Sequence, residues 1–322
     1  MVGTRKGLSV VAGAAAAAVV LAAPVAHASP FTLGAFETYG LLVNDGGSGG
    51  DINTPPVNAN IGVGNLASGT INLNNEVING KVDCETSCST VLSGSAITGT
   101  WPVSLGGGPT SPPPVTSNVA AVETAITAAK TLSSHYGAES GLGTAVTLTG
   151  STTINASSGF LDGTGTRVFT ASTFSPGNSQ TITINGTSSD FVVIDVTGTG
   201  NSLNGALTLA GGITSDQVLI NFIGVGGSVQ GAANGATLDG TFLIPNEAVT
   251  LNSLTIDGHL FGGEAGQNFQ FVSNAFINQP PVPVPAPPID HGILAFMAVG
   301  GMLFGARLLG NRRNRHLQAS MM

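Results

Sequence analysis

Short alternating runs recur along the chain. Thr181-Ile182-Thr183-Ile184, Phe191-Val192-Val193-Ile194-Asp195-Val196, Val218-Leu219-Ile220-Asn221-Phe222-Ile223 and Ala248-Val249-Thr250-Leu251 are alternating or briefly continuous apolar segments. Such runs predict half-buried or buried strands. Between them an aliphatic-Asn/Asp-Gly tripeptide keeps returning. It occurs at Ile78-Asn79-Gly80, Leu161-Asp162-Gly163, Ile184-Asn185-Gly186, Leu203-Asn204-Gly205, Leu238-Asp239-Gly240 and Ile256-Asp257-Gly258. From Gly163 onward most of these glycines follow one another at similar intervals, and the wide gap from Gly205 to Gly240 is close to two such steps. A unit near twenty residues fits. Asn/Asp-Gly tolerates the positive φ of a tight corner. A hairpin sandwich repeats its turns every ~8–12 residues, whereas a solenoid needs one corner per coil. The pattern therefore predicts a mainly β chain, a right-handed β-helix-like solenoid over 29–278.

One segment changes period. After Pro112-Pro113-Pro114, Ser117 and Asn118 are suitable N-caps, and Val119, Val122, Ile126, Ala129 and Leu132 follow at helical spacing. The expected helix covers about 118–134, with Lys130 and His135 near its end and Gly137 at C′. Its single apolar stripe calls for a partner on the side or end of the solenoid, where it would cover open strand edges.

Both termini depart from this pattern. Arg5 and Lys6 precede an apolar run over 8–23, and Ala26-His27-Ala28 supplies small residues before Ser29. That order predicts a secretory leader, 1–28, cleaved between Ala28 and Ser29. At the other end a proline-rich spacer, 279–290, leads to an apolar run over 293–309 and then Arg312, Arg313 and Arg315. Residues 291–322 are expected to hold the exported protein at the membrane, the arginines staying inside. The compact motif Val284, Pro285, Ala286, Pro287 and Pro288 followed by helix and arginines resembles the PEP-CTERM class of sorting signals. That resemblance implies an exosortase-type processing partner, although Ala286 stands where the class has glutamate.

Composition narrows the function. Charged residues make up only 8% of the 322, and glycine accounts for 47 positions without any Gly-X-Y period, which excludes collagen. Between 29 and 290 three basic residues face all 17 acids, a net charge of −14. So few cations exclude nucleic acid as a partner, because phosphate binding depends on them. Cys84 and Cys88, the only cysteines, lie four apart, and in an exported protein that spacing predicts one disulfide pinning a loop. Gly46-Gly47-Ser48-Gly49-Gly50-Asp51 occurs once, and calcium nonapeptides need stacked copies. It is read as a glycine loop, and no metal or cofactor is expected.

Several segments together resemble a known family. They are Gly64-Asn65-Leu66-Ala67-Ser68-Gly69-Thr70, the Ala-rich helix, Val218-Leu219-Ile220-Asn221-Phe222, the run from Gly240 through Ile244-Pro245-Asn246 to Leu251, and Ile256-Asp257-Gly258-His259-Leu260-Phe261-Gly262-Gly263. The likeness, over about 31–277, is to the choice-of-anchor A domains of exported bacterial proteins; similar segments occur in ice-binding and adhesin domains. It implies a solenoid-like surface module with no settled biochemical activity. Gly262-Gly263-Glu264 departs from it. No Ser-His-Asp grouping can be assembled, and Arg167 is the one arginine of the exported part, so no enzyme is expected. The reading is a surface-anchored or matrix-associated structural or adhesion protein. The alternative is a solenoid that binds polysaccharide, ice or a host protein, and an enzyme acting on polysaccharide ranks below both. Thr147-Leu148-Thr149 and Thr181-Ile182-Thr183 are threonine-rich, but no fixed Thr-x-Thr register is visible along the chain.

Overall fold

A computed structural model of the protein describes residues 31–44, 51–53, 58–64, 72–73, 80–85, 115–232, 235–264, 267–272 and 275–279. Ala26, Ala28 and Ser29, Cys88, the motif 284–288, the apolar run 293–309 and Arg312, Arg313 and Arg315 lie outside the described residues.

The described chain is mainly β with one helix, and its strands stack in parallel into a β-helix-like body with three faces. On the first face ten strands follow one another in space. They are Val115–Ser117, Val82–Cys84, Ile61–Val63, Leu41–Val43, Leu254–Gly262, Ala236–Ile244, Val218–Phe222, Val192–Val196, Arg167–Phe174 and Thr144–Leu148. The second face runs through Thr152–Asn155, Thr181–Asn185, Ala206–Ala210, the first halves of Ala236–Ile244 and Leu254–Gly262, and Phe276–Asn278. The third is a separate six-stranded sheet that includes Ser228–Gly231, Ala248–Asn252 and Phe269–Val272.

Coil length is close to the expected twenty. The inward column Phe169, Ile194, Ile220, Phe242 and Leu260 advances by unequal steps around that value, longest from Ile194 to Ile220 and shortest from Phe242 to Leu260. Leu41, Ile61 and Val82 extend it, and every member is fully buried. The corners are less uniform than the tripeptide suggested. Only Gly240 and Gly258 of the described tripeptide glycines have positive φ, and both sit inside nine-residue strands, where they fold one strand across two faces. Gly80, Gly163, Gly186 and Gly205 lie in turns and loops without that conformation.

The order of the coils is not the order of the chain. Leu41–Val43 pairs on one side with Leu254–Gly262 and on the other with Ile61–Val63, so the N-terminal strands continue the stack beyond the C-terminal ones. The chain must then return from Val115–Ser117 at one end of the first face to Thr144–Leu148 at the other. Nine gaps of ~4.8 Å span ~43 Å. The helix makes most of that journey.

It runs Val119–Glu139, five residues beyond the expected end. Gly137 is inside it rather than at C′, because a Cβ there would meet Ile223 Cγ2 at 3.1 Å; glycine lets the last turns lie close on the sheet. Tyr136 anchors that extra length, buried, with its hydroxyl 3.1 Å from Thr166 Oγ1. Neither Lys130 nor His135 falls in the last turn, and Asn118 caps without a side-chain bond. Val119 is exposed, while Val122, Ala125, Ile126 and Ala129 join Val168, Val193, Leu219, Leu243 and Phe261 in a second core outside the barrel. The segment around the short 3-10 turn Gly34–Thr38 adds Phe31, Leu33, Phe36 and Tyr39 to it. The helix therefore covers a face and leaves the strand edges of the first coil uncovered. Among the described residues no helix is long and apolar enough to cross a membrane.

Gly258 tests the corner geometry. A Cβ there would collide with the carbonyl oxygen of Gly240 at φ +155°. Gly258→Ala should lower stability by ~3 kcal/mol or more, read as a thermal melt, whereas Gly163→Ala, with open space around it, should stay near wild type.

Candidate binding face

The helix covers much of the first face, and so the second and third carry most of the outward strand side chains that solvent or a ligand can meet. On the second face the inward positions are Ile154, Ile182, Ile184, Leu207, Leu238, Ile256 and Ile277, all buried. Alternation then fixes what points out. One outward column reads Thr153, Thr183, Thr208, Asp239, Asp257, Asn278. Its neighbour reads Thr181, Ala206, Thr237, Thr255, Phe276, and a third begins Asn155, Asn185, Ala210. No bulge interrupts these ladders.

The columns are ordered by their own contacts. Thr183 and Thr208 hydroxyls are 3.3 Å apart, and Asn185 Nδ2 donates to Asn155 Oδ1 at 3.0 Å. Threonine on a strand has restricted χ1, so the hydroxyls and methyls are held in place before any ligand arrives. Strands ~4.8 Å apart and alternate residues ~6.7 Å apart along each strand make this a regular grid. One end differs. Asp239 and Asp257 are register partners, and Asp239 is pushed above the usual carboxylate range by burial and then by the Asp257 charge beside it. The strands of this face carry no lysine or arginine.

The threonine register was invisible in the sequence because successive coils differ in length. Thr181-Ile182-Thr183 belongs to it. Thr147 does not, since Thr144–Leu148 is the last strand of the first face. The third face is also polar, with Ser202, Gln230, Thr250 and Gln270 in one row.

Buried polar groups position these faces. Beneath the helix Asn221 Nδ2 donates to Asp195 Oδ1 (2.7 Å) and to the Ser133 carbonyl (3.0 Å), while Ser133 Oγ donates to Asn221 Oδ1 (2.6 Å). This pins helix to sheet. Asp195 Oδ2 has no hydrogen-bond partner, and burial pushes its carboxyl up to about 7. At one corner of the third face Glu247 is fully buried, accepting from Asn201 Nδ2 at 3.3 Å, with burial raising its pKa. Glu264, where the sequence departs from the resembled pattern, holds Lys130 at 2.8 Å and accepts from Asn44 Nδ2. That ties the helix to the end of strand Leu254–Gly262. None of these roles had a sequence signal beyond polarity.

An open cleft of about 980 Å³ lies beside the helix, lined by Glu85, Glu123, Lys130, Thr131, His135 and Glu264 among others. Of its carboxylates, Glu264 is already engaged by Lys130 and Asn44. Among the described residues no three His, Cys, Asp or Glu converge as a metal requires. Cys84 is buried and disulfide-bonded, and the expected partner Cys88 lies outside the described residues.

A family profile described as "Putative Ice-binding-like adhesive domain" matches residues 20–272. The chain belongs to this family. The resemblance to choice-of-anchor A domains with a PEP-CTERM tail is thereby corrected. The residues that carried it, such as 240–251 and 256–263, are the corner-and-strand segments of the two nine-residue strands and the one between them. Those features follow from building a coil and do not single out a family. The motif 284–288 and the arginines that suggested an exosortase lie beyond the matched residues. No curated protein matches this ice-binding-like domain.

Solved structures similar to it include an ice-binding protein from an Arctic yeast (15% identity, 82% of this chain and 98% of that one, TM-score 0.47). Another is ice-binding protein 1 of Shewanella frigidimarina (12%, 79% and 100%, TM-score 0.47). A third is an ice-binding protein from the Antarctic ascomycete Antarctomyces psychrotrophicus (15%, 79% and 100%, TM-score 0.45).

Asp195 predicts a pH dependence. Its folded pKa of about 7 lies above the ~4 of an unfolded aspartate, so the native state binds the extra proton. The associated stability is full below about pH 4 and is lost as pH rises through 7. Asp195→Asn should flatten that fall and be more stable than wild type at pH 8, by a few kcal/mol at most, in melts taken from pH 4 to 8.

Proposed function

We propose that the protein is an exported, non-catalytic binding protein that docks its threonine face onto ice. The single observation carrying this is the pair of outward columns Thr153–Thr183–Thr208 and Thr181–Ala206–Thr237–Thr255 on parallel strands, each group of strands in continuous register and the two groups joined at the Leu207–Leu238 pair. A crystal surface repeats its sites, and only a ligand-free grid already fixed in spacing can meet many of them at once. Rigid threonines lose little entropy on contact, and their hydroxyls can bridge through ordered water. The family's adhesive, ice-binding-like description supports the same reading. The third face, with glutamines Gln230 and Gln270 in its outward row, offers longer and freer side chains and suits a repeating lattice less well.

The remaining parts fit an extracellular protein. Residues 1–28 serve as the leader, Cys84 and Cys88 form the bridge, and the parallel coils wind right-handed, as parallel crossovers do. A thiol reagent applied without reductant should leave the exported protein unlabelled.

Ice shaping and thermal hysteresis of the full-length protein test the assignment. Thr183→Lys with Thr208→Lys places two ammonium groups in the middle of the face and should reduce thermal hysteresis at least tenfold. The melting temperature should fall only modestly, since both side chains point outward and are half-buried and the cost is that of two like charges on neighbouring strands. If the third-face control Thr250→Lys reduces activity equally, or the wild type leaves ice crystals unshaped, the assignment is wrong.

A further inference from the structure

The first coil of the solenoid is open along its leading edge. Among the described strands, Thr144–Leu148 pairs with Arg167–Phe174 alone and Thr152–Asn155 with Thr181–Asn185 alone. Phe160–Leu161 lies in the same layer, antiparallel to Arg167 and Val168. Among the described residues nothing pairs with the other side of these strands. Unpaired N–H and C=O groups along an edge are a template for another strand, and proteins usually guard them with lysine, proline or a covering element. Among the described residues those guards are missing. Residues 141–161 contain no charge and no proline, and the helix ends at Glu139.

The layer is also where apolar side chains reach solvent. Leu142, Phe160 and Leu161 are 60%, 38% and 50% exposed, three of the five large exposed hydrophobics among the described residues. Val146 is only partly buried although it packs on the barrel core, so the core itself opens here.

We propose that this edge pairs with the same edge of a second copy, antiparallel and centred on Val146, to form a two-fold dimer. A ladder with that centre sets Ala145 against Thr147 and Thr144 against Leu148, so no like charges oppose. Each Val146 then closes the other copy's core, which a two-fold interface achieves with one self-complementary patch. Charge selects this end. The chain carries 17 acids against 9 basic residues, so copies repel across most surfaces, whereas the 141–161 layer is neutral. The nearest acid after it, Asp162, is tied inward, accepting from the backbone N–H of Thr164 (2.8 Å) and Thr166 (2.7 Å). The dimer does not depend on what the threonine face binds.

Sedimentation equilibrium of the full-length protein, with cross-linking, tests the pairing. Wild type should dimerise reversibly, and Thr147→Lys, at an exposed position, should raise the dimer Kd at least tenfold while the circular-dichroism melt stays put. Val146→Cys should form an intermolecular disulfide on oxidation, and Thr250→Cys on the third face should not. A protein that is monomeric at every concentration reached overturns the proposal. So does a dimer that Thr147→Lys leaves intact and Val146→Cys fails to cross-link.

Discussion

The parallel pairing of Leu41–Val43 between Leu254–Gly262 and Ile61–Val63 is the constraint from which the rest of the architecture follows. It joins the C-terminal coils to an N-terminal strand, and so the polypeptide cannot wind from end to end in sequence order. A return connection becomes obligatory, and the helix Val119–Glu139 supplies it. Because the helix lies across much of that face, the outer side of the strands beneath it must be apolar, and Val168, Val193, Leu219, Leu243 and Phe261 make it so. A surface doubly buried in this way cannot also recognise a ligand. Recognition is displaced to the remaining faces.

Rigidity of the threonine face has the same origin. Inward columns of Ile, Leu and Phe are stacked at strand spacing, which locks the register of whatever alternates with them. Gly240 and Gly258 let two strands turn the corner without breaking their ladders, so the grid on the second face inherits the alignment of the first. Polar pins hold the layers together: Asn221 between Asp195 and Ser133, and Glu264 between Lys130 and Asn44. Satisfied buried networks of this kind fix one arrangement, whereas the orphaned Asp195 Oδ2 makes that pin sensitive to protonation.

Much of the fold could be read from the chain before any coordinates. The four alternating runs became strands, and the recurrent aliphatic-Asn/Asp-Gly spacing matched the length of the coils. The helix is legible in the chain, but its last five residues are not, because Gly137 acts as a stop in isolation and as a close-packing residue against Ile223 in context. The binding face was illegible for a related reason. Thr153, Thr183 and Thr208 are separated by stretches of different length, and unequal loops hide a register that only strand pairing restores. The spatial order of coils, with an N-terminal strand beyond a C-terminal one, leaves no local signal at all. Family assignment suffered similarly, since segments common to many coils carried the resemblance.

Membership of an ice-binding-like adhesive family and a threonine grid held by strand register give one account of the molecule: a stiff body with a prepared face. Its central claim is direct contact between that face and ice. The most direct measurement is the partition of fluorescently labelled full-length protein into a slowly grown single crystal of ice. The account predicts that the protein is taken up and enriched on defined crystal planes. Exclusion of the protein into the remaining liquid, at the level of an inert protein of similar size, would contradict it.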